Sequence, residues 1–243
     1  MFGFYESNGI YKKVMIGIVI TMYDEADIVA QTINNCNSHN TVIIVVHSDN
    51  QIADKNLEYI MRNSIYIPMS NLGKELNVHE IASAAICRNY NVGFKKLYEF
   101  GNNFDIIIGI NGDTLIKDLS KIINLATSGY IGYVLQAKGQ GFWDRNDKPG
   151  IDTPSRVQTE EVADIMPQFF VFKGEFAYDN KLFTEIVNIN RYTSEENLGN
   201  EILRVLGSQF KEKIKRIHNN PNVYDYHEGI ELQVKGLGHT RNK

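Results

Sequence analysis

Arg88 and Asp113 are the residues of this chain whose types and positions most plainly suit work on an anion. Ile81, Ala84, Ala85, Arg88 and Val92 recur at helical spacing, which sets Arg88 on, or at the border of, a stripe that packs against a sheet. A guanidinium there needs a counter-charge, because desolvating it unpaired is costly, so it is expected to meet a carboxylate, a phosphate or a helix end. The next apolar run closes on Asn111, Gly112, Asp113 and Thr114. If that run is a parallel strand, Asp113 stands at its carboxyl end, where open α/β sheets bind ligands. Arg88 and Asp113 are therefore expected to converge, either on a ligand or as a structural ion pair. The run Asn-Gly-Asp can also be an ordinary turn, since both of its dipeptides are common in turns.

The elements that would hold these residues can be read from periodicity. Residues 14–21 form an apolar run that suits a buried strand. Asp24 can cap the helix that follows, Asp27 falls in its first turn, and Ile28 and Ile33 lie on its inward face. A second strand over 41–46 ends at His47, Ser48 and Asp49, and 65–68 reads as an edge strand stopped by Pro68. Residues 77–100 form the clearest helix, with Asn77 and Glu80 as a capping pair and Gly101 where it stops. The strand over 104–110 follows. Further on, 167–172 reads as a strand, 180–190 and 194–206 as helices, and the tail from His218 has weak periodicity. Strands alternating with helices predict an α/β domain on a mostly parallel sheet.

Composition sets wider bounds. With 243 residues, 43% of them hydrophobic, the chain has material for one sizeable core. A net charge of −4 and the lack of a basic face argue against nucleic acid as a partner. Cys36 and Cys87 are too few for a disulfide framework and lack the spaced partners of a structural zinc site. Lys12 and Lys13 before an apolar run look like the start of a signal peptide. The run is short and β-branched and has no cleavage site, so it reads as a strand, and it is too short to cross a bilayer. The expected location is the cytoplasm, with or without peripheral attachment to a membrane.

The runs "IGIVITMYDEADIVAQTINN", "HSDN", "AAICRNYNVGFKKL" and "FDIIIGINGDTLI" stand in that order between residues 14 and 116. Together they resemble the nucleotide-binding half of GT-A glycosyltransferases, most closely family 2. The resemblance implies a single GT-A domain with a mostly parallel mixed sheet flanked by helices. Residues 1–116 would bind a nucleotide-sugar donor, and 117–243 would form the acceptor half and a tail. It also implies transfer of the sugar to a hydroxyl of a saccharide, glycoconjugate or other acceptor. Thr21 and Tyr23 match the family's contacts to the base or ribose, Asp49 its carboxylate that reads the base or ribose, and Arg88 its helix arginine near the diphosphate. The family's Asp-x-Asp metal motif falls on Asn111, Gly112 and Asp113, so its first aspartate is replaced here and its last retained. One carboxylate with donor phosphates can still hold Mn²⁺ or Mg²⁺, with weak affinity expected for the bare cation. The ion would neutralise charge on the departing nucleoside diphosphate.

In the acceptor half, the resemblance implies an acidic general base at the start of a helix in inverting members, and "RYTSEENLGNEILRVL" is the matching run. Thr193 and Glu196 can form a capping box, which occupies Glu196 and makes Glu195 the first choice for the base. Both acids can equally be dipole partners on a solvated helix start. His239 in "GLGHTR" and His227 stand where related enzymes supply a histidine to the metal. Trp143, in the Gly-, Asp- and Pro-rich stretch 138–156, can cover a sugar ring of the acceptor or anchor its own loop. Two other readings stay open. A sugar nucleotidyltransferase would want a glycine-rich phosphate loop after the first strand, where "TMYDEAD" stands instead. A catalytically silent GT-A-like scaffold that binds sugar or nucleotide is compatible with Asn111.

Overall fold

A computed structural model describes residues 4–7, 10–48, 55–70, 78–126, 128–135, 167–186, 194–217 and 229–232. Strands β3 (Met15–Met22), β4 (Asn40–His47) and β6 (Ile106–Asn111) are nearly continuous apolar runs because both of their faces are covered. They form the centre of a seven-stranded sheet with β5 (Ile65–Pro68), β8 (Gly132–Leu135), β9 (Phe169–Lys173) and β10 (Ile214–Ile217). Its order is β10-β8-β9-β6-β3-β4-β5. Only β9 runs against its neighbours, β6 and β8; every other pair is parallel. The sheet thus has the mostly parallel, mixed form flanked by helices that the GT-A resemblance implies. Two small antiparallel pairs complete the strands, β1 (Phe4–Ser7) with β2 (Ile10–Lys13) and β7 (Thr114–Ile116) with β11 (Ile230–Leu232).

Alternation along each strand feeds a separate core on each face. Ile16, Ile18, Ile20 and Met22 of β3 pack with α1 (Ala26–Cys36), α2 (Lys55–Asn63) and α4 (Leu119–Ala126). Val19 and Ile107 pack on the other side with α3 (Val78–Tyr98), α5 (Gly174–Asp179) and α6 (Ser194–Leu206). Helix α3 crosses β3 closely at Gly93, where an added Cβ would lie 2.3 Å from Val19 Cγ1. Gly101, at φ 80°, follows its end as expected. Among the described residues no helix is long and apolar enough to cross a membrane.

Several local expectations are corrected. The residue before α1 is Glu25, not Asp24, and it makes no side-chain cap, because its carboxylate turns back to the amides of Tyr23 and Asp24. The buried stripe of α3 is Ser83, Cys87, Tyr90, Phe94 and Leu97, whereas Ala84, Ala85 and Val92 are only partly covered. Large rings bury more apolar area than alanines do and so set the helix's rotation, leaving Arg88 at the stripe's border. Residues 180–186 do not form the expected helix. Lys181 and Phe183 take φ values of 48° and 62°, which end α5 and let Phe183 enter the core. The tail contributes β11, which is paired to β7 and therefore leaves no periodic signal of its own.

Candidate active site at the carboxyl edge of the sheet

The chain turns around at β3. It builds β4 and β5 to one side and then crosses by α3 to β6 on the other. Such a reversal opens a crevice beyond the carboxyl ends of the two strands, and Thr21 and Asn111 are register partners at those ends. The Thr21 hydroxyl donates to the Asn111 side-chain carbonyl, and the Gly112 amide donates to the Thr21 carbonyl at 2.7 Å. The turn Asn111-Gly112-Asp113 then leads into β7, which is tied to α1. Thr32 accepts from the Ile116 amide at 3.2 Å, and Asn35 donates to the Ile116 carbonyl at 2.8 Å. Asp113 is thus a half-buried carboxylate between two anchored strands.

Glu25 overhangs this turn. A Cβ at position 112 would lie 2.6 Å from its Oε2 and 3.2 Å from its Cβ, so a larger residue there would make the Glu25 side chain shift. Glu25 Oε2 accepts from the amides of Tyr23 at 2.8 Å and Asp24 at 3.2 Å. Burial pushes its carboxyl up to about 7, the Tyr23 amide opposes that, and Asp24 and then Asp113 add to it.

Helix α3 supplies the other wall. Asn89 donates to Ser48 Oγ at 2.6 Å, pinning the middle of α3 to the carboxyl end of β4. Tyr90, fully buried, donates to the Pro167 carbonyl at 2.5 Å. Its phenol is pushed well up by burial and also feels the Thr21 hydroxyl and the Asp113 charge. This turn of α3 therefore borders the crevice. Arg88 precedes it; among the described residues its buried Nε has no hydrogen-bond partner and its Nη2 reaches only Asn89 Oδ1, at 3.5 Å. Partial burial lowers its pKa, and none of the ion pairs among the described residues joins Arg88 to Asp113 or to another carboxylate.

Thr21, Tyr23, Arg88, Asn111 and Asp113 are thus gathered at one edge. Asp49, Trp143, His227 and His239 lie outside the described residues. Glu195 and Glu196 stand in the first turn of α6; their side chains, and Thr193 before them, are not among what is described. Sequence reasoning passed over Glu25, His47 and Tyr66. Glu25 stood in plain view within "TMYDEAD", but a carboxylate that folds back onto its own loop has no periodic signature. The described residues contain no group of three or more His, Cys, Asp or Glu able to hold a metal ion. With the Asn111 oxygen already taken by Thr21, a cation here would rely on Asp113 and on oxygens of its ligand.

No family model matches the sequence, and no curated protein does. Among solved structures the chain is similar to the apo form of glycosyltransferase GlyE from Streptococcus pneumoniae TIGR4, at 10% identity and a TM-score of 0.43 over 85% of this chain and 46% of that one. It spans about half of GlyE's length. It is also similar to 4-diphosphocytidyl-2C-methyl-D-erythritolsynthase from Anaerococcus prevotii DSM 20548, at 12% identity and a TM-score of 0.47 over 91% and 92% of the two chains. At such distances the likeness concerns the fold alone.

Proposed function

We propose that this protein is a glycosyltransferase of the GT-A type that moves a sugar from a nucleoside-diphosphate sugar to an acceptor hydroxyl. The observation that carries the reading is Arg88, a partly desolvated cation whose buried Nε has no hydrogen-bond partner among the described residues, beside the strand-end crevice of Asn111 and Asp113. A partly buried guanidinium that faces no carboxylate among the described residues is suited to receive an anion, and a diphosphate fits its fork of donors. Thr21 and Tyr23 would meet the base or ribose, with Asp49 reading the same moiety. Asp113 would hold Mn²⁺ or Mg²⁺ together with the donor's phosphates, and His239 is a second ligand under this reading. When bound, the ion neutralises charge on the leaving diphosphate. Glu195, or Glu196 beside it, would take the acceptor's proton in an inverting displacement, and Trp143 would cover the acceptor sugar.

A silent nucleotide-binding scaffold is the competing reading, favoured by the engagement of the Asn111 oxygen with Thr21. Metal-dependent hydrolysis of a nucleotide sugar separates the two. The direct test is a thermal-shift panel of nucleoside diphosphates with and without Mn²⁺, since a ligand of the native state raises the melting temperature. At least one diphosphate should stabilise the protein, more so with Mn²⁺. Asp113→Asn should abolish the Mn²⁺ increment while leaving the ligand-free melting temperature unchanged. An increment that survives the change removes Asp113 from the metal site.

A further inference from the structure

His47 closes β4 and is buried, with both ring nitrogens engaged. Nε2 lies 2.7 Å from the Tyr23 carbonyl oxygen and Nδ1 2.6 Å from the Tyr66 hydroxyl. A carbonyl can only accept, so Nε2 carries the proton, and in the neutral ring Nδ1 accepts from the Tyr66 O–H. A relay thus crosses the carboxyl edge of the sheet from β5 through β4 to the residue just after β3. On its other side Tyr23 donates its amide to Glu25. The amide and the carbonyl of Tyr23 are therefore each held by a side chain, beyond the last residue of β3, while the Tyr23 side chain stays partly exposed. An apolar side chain at position 47 could fill the same space. What the imidazole adds is one directed bond to one carbonyl.

We propose that Tyr66 and His47 are positioning residues that fix the backbone of Tyr23 and thereby the pose of its ring against the base of a bound nucleotide. The inference deepens, and rests on, the donor-site reading of Tyr23. A backbone held at both its amide and its carbonyl has little freedom to re-aim its side chain, so the relay sets which base the site prefers. Diphosphate capture, which falls to Arg88 and Asp113, does not depend on it.

Calorimetric titration with the 5′-diphosphates of uridine, cytidine, adenosine and guanosine, and with inorganic pyrophosphate, all with Mn²⁺, tests this. The wild-type protein should prefer one base. Tyr66→Phe should weaken that nucleotide about three- to tenfold, the worth of one hydrogen bond, flatten the preference among bases and leave pyrophosphate affinity unchanged. His47→Leu should weaken it more, and His47→Gln, whose amide can still donate to the Tyr23 carbonyl, should restore most of the loss. Tyr66→Phe keeps the packed ring and remains decisive even if His47→Leu fails to fold. Unchanged base preference in Tyr66→Phe, or equal loss of nucleotide and pyrophosphate affinity, overturns the relay. A wild-type protein that binds none of the nucleotides removes the donor-site reading and this inference together, whereas wild-type binding matched by the variants removes only the inference.

Discussion

Arg88 changes meaning once its surroundings are known. From the sequence it requires a counter-charge, yet among the described residues its Nε has no partner and no carboxylate faces it. Its removal should therefore not strand a buried acid. Arg88→Ala is expected to alter stability to urea by less than about 1 kcal/mol while weakening diphosphate binding roughly ten- to hundredfold, the range for a hydrogen bond to a charged group. A large loss of stability would instead reveal a structural ion partner. Glu25 makes the opposite kind of prediction. Its carboxyl is raised from 4.5 to about 7 in the fold, chiefly by burial, so the folded protein holds a proton there that the unfolded chain releases. This contribution is fully present below about pH 4.5 and is lost as pH rises towards 7, amounting to at most about 3 kcal/mol. In metal-free buffer, Glu25→Gln should flatten the decline of stability over that window, measured by urea unfolding at stepped pH. An unaltered slope would assign the decline to other groups.

At the scale of elements, helix α3 decides how the site is walled. Gly93 lets it approach β3, and an added methyl would fall 2.3 Å from Val19 Cγ1. Gly93→Ala should cost about 1 to 3 kcal/mol through overpacking, despite alanine's better helix propensity, and equilibrium unfolding will show whether it does. An unchanged or higher stability would mean that the helix can slide without penalty. The first turn of α6 carries the proposed base. Glu195→Gln keeps the shape and removes basicity, so turnover should fall by about two to four powers of ten with donor affinity nearly unchanged. Glu196→Gln should cost mainly helix stability, up to about 1 kcal/mol, if Thr193 and Glu196 form the capping box. Normal turnover in the first variant and slow turnover in the second would exchange their roles. Normal turnover in both would place the base elsewhere.

Across the whole molecule, the elements whose signal is local are legible from the residues without coordinates. Buried strands β3, β4 and β6 are nearly continuous apolar runs, the edge strand stops at Pro68, and residues 194–206 carry the helical period of α6, because burial on one or two faces imprints a period on the chain. Arg88 and Asp113 stand out as well, since a charge at the border of a buried stripe and an acid past a strand are visible without coordinates, whereas Thr21 and Asn111 come forward only through the resemblance to GT-A enzymes. What tertiary structure alone decided is every relation across the sheet. The reversal of β9, the pairing of the tail strand β11 with β7, the rotation of α3 about Tyr90, Phe94 and Leu97, and the bonds of Glu25 and His47 to Tyr23 are of this kind. The β9 and β11 pairings and the His47 bond join residues distant in the chain, so no local period encodes them. The α3 rotation and the Glu25 bond are settled instead by which side chains can share one volume and which buried polar groups can satisfy one another.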